Sequence, residues 1–161
     1  MKNRGFSLIE LRVVIAIMAV ALTAGGYALS AISLANAKNC ATEIKSSLEK
    51  TRMQACSTDK GTTHATLSLY RDSNGKVVIA KSYEGTTKEI GGRAVKVEYR
   101  MKGANAETYQ QLGTTAITFG FNRSTGGFTD PDNLVENIRI TSGGKTYTLT
   151  CYGLTGKIKM E

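Results

Sequence analysis

Gly5-Phe6-Ser7-Leu8-Ile9-Glu10-Leu11 opens an apolar run that continues from Val13 to Ala24 and is interrupted only by Glu10 and Arg12. A short basic leader, Met1-Lys2-Asn3-Arg4, precedes it. A secretory signal is cut after its apolar region, at small residues; here the plausible cut lies before that region, so the apolar segment would survive maturation. About 20 apolar residues suffice for a helix to cross a bilayer. A carboxylate in hydrocarbon costs about 2.5 to 3.5 kcal/mol on insertion scales, so Glu10 demands a partner or a path to the interface along its own stem. Arg12 stands two positions from Glu10, a spacing that does not face on a helix, so the two form no intrahelical pair. Its guanidinium either snorkels to the nearby interface along its long stem or meets Glu10 of a second copy of the chain.

Outward from this run, nothing before about Ser57 breaks a helix strongly except Gly25-Gly26, a candidate kink or melting point. Some fifty helical residues would extend about 75 Å. The second half changes character. Ala37, Ala41, Ile44, Leu48, Thr51 and Ala55 recur at spacings of three and four, while Lys38, Glu43, Lys45, Glu49, Lys50 and Arg52 fall mostly elsewhere. That pattern predicts a helix lying on a sheet, brought close by its alanines.

Beyond residue 57 the period becomes two. Ala65–Arg71 and Lys76–Tyr83 flank Asp72-Ser73-Asn74-Gly75, whose Asn-Gly signals a hairpin. Arg93–Tyr99, Thr115–Phe121, Asn137–Thr141, Thr146–Tyr152 and Lys157–Met160 read as further strands, with turns at Asn122–Gly127, Gly143-Gly144 and Gly153–Gly156. Arg100–Gly113 has no clear period and reads as an exposed loop. The fold class is therefore α+β, with a long amino-terminal helix packed on a carboxy-terminal antiparallel β-rich head. The expected divisions are a leader over 1–5, a membrane-spanning half-helix over 6–27, an amphipathic half-helix over 28–57 and the head over 58–161.

The 161 residues carry a formal charge of +8, falling to about +6 if Lys2 and Arg4 leave with the leader. Such a balance permits attraction to phosphates or anionic lipid and equally serves solubility. Three cysteines, Cys40, Cys56 and Cys151, have no CxxC spacing, and His64 is the only histidine, so neither a zinc site nor any other metal site is expected. One disulfide with a free thiol, or three free thiols, are both open; Cys56–Cys151 is the candidate bridge, since it would tie the helix end to a late strand. No catalytic constellation emerges. His64 beside Thr62-Thr63 lacks the rest of a triad, Asp130 and Asp132 around Pro131 read as a turn, and there is no phosphate loop. No enzyme activity and no cofactor are expected, and the energy for any assembly must come from a partner.

Residues 5–11 resemble the type III signal sequence of type IV pilins and type II secretion pseudopilins. The resemblance implies cleavage by a prepilin peptidase between Gly5 and Phe6, N-methylation of Phe6, and a role for Glu10 in filament assembly, where it answers the Phe6 amine of the next subunit. Arg12 departs from the family pattern, which usually has an apolar residue there. The implied partners are the peptidase, other pilin or pseudopilin subunits, an assembly platform protein and the membrane. The implied location is the bacterial inner membrane, single-pass with the head outside the cytoplasm, and then a periplasmic or surface filament. Leu48–Ala55, the strand Thr66-Leu67-Ser68-Leu69, Ile117–Phe119 and Gly126-Gly127 are loosely similar to the minor pseudopilin H and FimT class. In the FimT branch a terminal Gly-Arg-x-Arg is linked to DNA binding during natural transformation; here Gly156-Lys157-Ile158-Lys159 stands in its place. Lysine keeps the charge but not the planar fork of arginine. Lys157 and Lys159 are thus candidate DNA contacts, or lysines that protect an edge strand from aggregation.

Overall fold

The computed structural model describes residues 7–57 and 65–161, and within the helix the side chains of residues 7–22 and 32–57. Helix α1 (Leu8–Ser57) continues through Gly25 and Gly26, where a kink or melting point was expected. The chain divides into two compact units, Met1–Ile32 and Ser33–Glu161.

Over residues 8–22 the helix is apolar on every side, with Glu10 and Arg12 its charged members. Ten large apolar side chains between Leu8 and Leu22 are exposed, from Leu8 at 71% to Leu22 at 74%. A helix with no polar face has nothing to turn toward water and needs an apolar environment around it.

In the second unit α1 turns one stripe inward. Ala37, Cys40, Ala41, Ile44, Ser47, Leu48, Thr51 and Ala55 are all buried, which matches the predicted stripe and adds Cys40 and Ser47. The buried hydroxyl of Thr51 donates to the Ser47 carbonyl at 2.8 Å, so it enters the core satisfied.

The strands are β1 (Thr66–Arg71), β2 (Val77–Lys81), β3 (Thr86–Gly91), β4 (Lys96–Met101), β5 (Gln110–Gln111), β6 (Ile117–Gly120), β7 (Val135–Ser142), β8 (Lys145–Tyr152) and β9 (Lys157–Met160). They form two antiparallel sheets, β3-β2-β1-β6 and β5-β4-β7-β8-β9. Both inner faces join the helix stripe in one core: Leu67, Leu69 and Ile79 from the first sheet, Val97, Ile138, Ile140, Leu149 and Ile158 from the second.

The predicted hairpin forms. Asp72 N–H donates to the Lys76 carbonyl, Gly75 sits at φ +76°, and the Asp72 carboxylate accepts the Lys76 N–H at 2.7 Å. Two strands were not predicted. The side chains of β3 are exposed along Thr86–Glu89, so it carries no apolar alternation, and β5 is two glutamines inside the stretch read as a loop.

Candidate functional site

Ser7 and Glu10 build the start of α1. The Ser7 N–H donates to the Glu10 carboxylate at 2.9 Å, and the Ser7 hydroxyl accepts the Ile9 N–H at 3.3 Å. This is a reciprocal capping box, and the sequence carried its Ser-x-x-Glu signature unrecognised beneath the apolar run. The Glu10 carboxylate therefore already holds one backbone donor within its own chain. Arg12 is exposed and forms no ion pair among the described residues. Gly5 and Phe6, the expected cleavage and methylation positions, lie outside the described residues, as does His64. Among the described residues no helix is long and apolar enough to cross a membrane.

On the head, β9 is an edge strand of the five-stranded sheet. Lys157 and Lys159 point outward and Ile158 is buried, the alternation the sequence predicts. Lys159 is held by the Glu161 carboxylate, which raises the lysine pKa through the hydrogen bond and the charge. Lys157 lies opposite Tyr152, which is 44% exposed. The two candidate cations thus differ, one neutralised by a neighbour and one beside an exposed ring.

Asp130 and Asp132 stand in a turn, as expected: Asp130 accepts the Asn133 N–H at 3.1 Å and Asp132 pairs with Lys102 at 3.1 Å. Among the described residues no three His, Cys, Asp or Glu side chains are grouped to hold a metal.

Two glycine loops close on the last turns of α1. Arg52 Nε donates to the Gly126 carbonyl at 2.9 Å, and the 122–128 and 153–156 loops meet backbone to backbone beneath it. A Cβ on Gly127 would lie 2.5 Å from the Leu154 carbonyl oxygen, and one on Gly156 only 1.9 Å from that of Gly126.

The candidate bridge Cys56–Cys151 is not bonded in the structure; Cys40, Cys56 and Cys151 are all free thiols. Cys56 is exposed beside Gly126, whereas the Cys151 side chain is on the buried face of β8. Burial pushes the thiols of Cys40 and Cys151 up to about 12 each, the Arg71 charge only partly opposing it at Cys40. Because the thiolate is the nucleophile, alkylation of the native protein at mildly basic pH is expected to add one label, at Cys56, and three after denaturation. Mass spectrometry of the labelled chain checks this; a native label on Cys40 or Cys151 would contradict their burial.

Residues 1–26 match the family model described as the prokaryotic N-terminal methylation motif. No curated protein and no solved structure matches the chain. The motif supports the type IV pilin and pseudopilin family for this chain, and with it a pilin-like subunit processed by prepilin peptidase from a membrane-anchored precursor and assembled with other pilins. The helix packed on antiparallel sheets is consistent with a pilin-like fold.

Proposed function

We propose that this chain is a minor subunit of a type IV pilus-like or type II secretion filament. In this reading residues 6–27 span the inner membrane in the precursor, the peptidase cuts between Gly5 and Phe6, and Phe6 is methylated. Glu10 then exchanges the Ser7 N–H for the Phe6 amine of a neighbouring subunit as the helix enters the filament. The observation that carries the reading is the belt of ten exposed apolar side chains from Leu8 to Leu22, within the methylation motif of residues 1–26. Lipid in the precursor, and partner helices in the filament, are the two environments that would cover such a belt. The test is the intact mass of membrane-extracted protein from cells with and without prepilin peptidase. Loss of Met1–Gly5 and gain of one methyl group, both dependent on the peptidase, are expected; an uncut chain, or one cut after Ala24, overturns the reading.

A second reading is that the head captures DNA for uptake in natural transformation. It draws on Lys157 and Lys159 sharing the outward face of β9 beside Tyr152, a cation and ring combination suited to a single strand. Lys157→Glu with Lys159→Glu is the variant that tests it. A fall in affinity for single-stranded DNA supports these lysines as contacts, and unchanged affinity removes them.

A further inference from the structure

Arg71, Arg93 and Lys96 line one open cleft of about 520 Å³ on the head, together with Ser73, Asn74 and Gln111. These residues come from the end of β1, the β1–β2 turn, the segment before β4, the start of β4, and β5. No carboxylate is among the lining residues.

The cations are fixed by backbone. Arg71 donates from Nη1 to the Gly75 carbonyl at 2.6 Å and from Nη2 to the Val95 carbonyl, while its buried Nε has no partner among the described residues. Arg93 donates from Nε to the Asn74 carbonyl, and its stem lies over Gly75, with Cγ 3.5 Å from where a Cβ would stand.

Of the neighbouring carboxylates, Asp72 and Glu89 are engaged outside the cleft, and Glu98 neutralises Lys96. Asp72 is turned into the hairpin, accepting the Lys76 N–H at 2.7 Å and the Asn74 amide at 3.5 Å. Glu89 holds Lys76 at 2.6 Å, and Glu98 holds Lys96 at 2.7 Å. Arg71 and Arg93 pair with no carboxylate among the described residues. Two immobilised guanidinium groups beside a lysine, without a counter-charge of their own, create a positive potential that an external anion would relieve.

The chemistry of the walls narrows the ligand. No aromatic ring lines the cleft, so there is no platform for stacking bases, and no large exposed apolar side chain lies in it to enter a bilayer. What is offered is charge and polar donors on an open surface, the means by which a protein grips a backbone of phosphates without reading sequence. Arginine matches a phosphate with parallel donors, and neither terminal nitrogen of Arg93 has a partner among the described residues.

We propose that this cleft, rather than the β9 edge, is the head's contact with the phosphodiester backbone of DNA. The inference rests on the second reading above, that the head binds DNA, and assigns that binding a different place.

The test uses the full-length chain in nonionic detergent and fluorescein-labelled single-stranded DNA. Anisotropy is followed between about 50 and 200 mM salt, where phosphate contacts make themselves felt. Arg93→Glu with Lys96→Glu, which leaves the Arg71 bonds to Gly75 and Val95 in place, is expected to weaken binding at least about tenfold. It should also reduce the salt slope by about 0.7, the value for one lost contact to a single strand, since Lys96 is already paired with Glu98. Circular dichroism establishes that the variant is folded, and Arg93→Ala with Lys96→Ala serves in its place if it is not. Undiminished binding by the folded variant overturns the cleft and leaves DNA binding standing, with Lys157→Glu and Lys159→Glu then locating it. No binding by the parent chain, or binding to phosphatidylglycerol vesicles in place of DNA, overturns both.

Discussion

Gly156→Ala is expected to lower the stability of the head by about 3 to 4 kcal/mol. Gly156 is at φ +63°, where a side chain costs about 1 to 2 kcal/mol. Its Cβ would also lie 1.9 Å from the Gly126 carbonyl oxygen, the atom that accepts the Arg52 donor. Pushing that carbonyl aside breaks a charge-assisted bond worth about 1.5 to 3 kcal/mol. At roughly 2 to 4 °C per kcal/mol for a chain of this size, the melting temperature should fall by about 6 to 16 °C. Gly144 is the control: φ is +76° there, but nothing lies within 4 Å of an added Cβ. Gly144→Ala should therefore show the conformational cost alone, about 2 to 8 °C. Thermal unfolding of the full-length variants in detergent, followed by circular dichroism, measures both. Equal falls would mean that the contact between the two glycine loops contributes nothing.

Glu10→Leu is expected to reduce incorporation into filaments by about 100-fold or more, while leaving the precursor in the membrane. In the proposed filament, removing one partner of a buried charge pair costs about 3 to 5 kcal/mol, and each 1.4 kcal/mol is a factor of ten. The structure supplies a comparison that separates this from a loss of helix order. Ser7→Ala removes the hydroxyl that caps Ile9 but keeps the carboxylate, a change of about 1 kcal/mol at the helix start. It should lower incorporation by less than about tenfold. Quantifying the subunit in sheared filaments against the membrane fraction gives both numbers. If Ser7→Ala is as damaging as Glu10→Leu, Glu10 acts through the cap and not through a neighbour.

Much of this molecule could be read in advance because local pattern and tertiary role coincide. The helix stripe from Ala37 to Ala55 and the alternation in Val95-Lys96-Val97 record burial directly. Where a strand buries little, the record fails. Thr86–Glu89 in β3 are exposed, so only pairing to β2 reveals them as a strand. Gln110-Gln111 owe their state to Glu98 and Tyr99 of β4. The same limit hid the cationic cleft, whose members at 71, 93, 96 and 111 meet only after the two sheets have closed. The Ser7–Glu10 cap has its Ser-x-x-Glu signature in plain view, but the same glutamate sits in an apolar run, where hydrocarbon points equally to a partner on another chain.

The Arg52 contact bears on the order in which the chain can become a structure. Arg52 grips a carbonyl 74 positions later, and that carbonyl rests in turn against Gly156, just before the final strand. Ribosomal synthesis delivers the helix first and β9 last, so the helix waits through the whole production of the head before its last turns have a seat. Closing so long a loop is slow compared with forming a helix. A chain stopped before Gly156 would lack Ile158 from the core and the glycine that backs the Gly126 carbonyl under Arg52, making the last few residues the latch for the end of the helix.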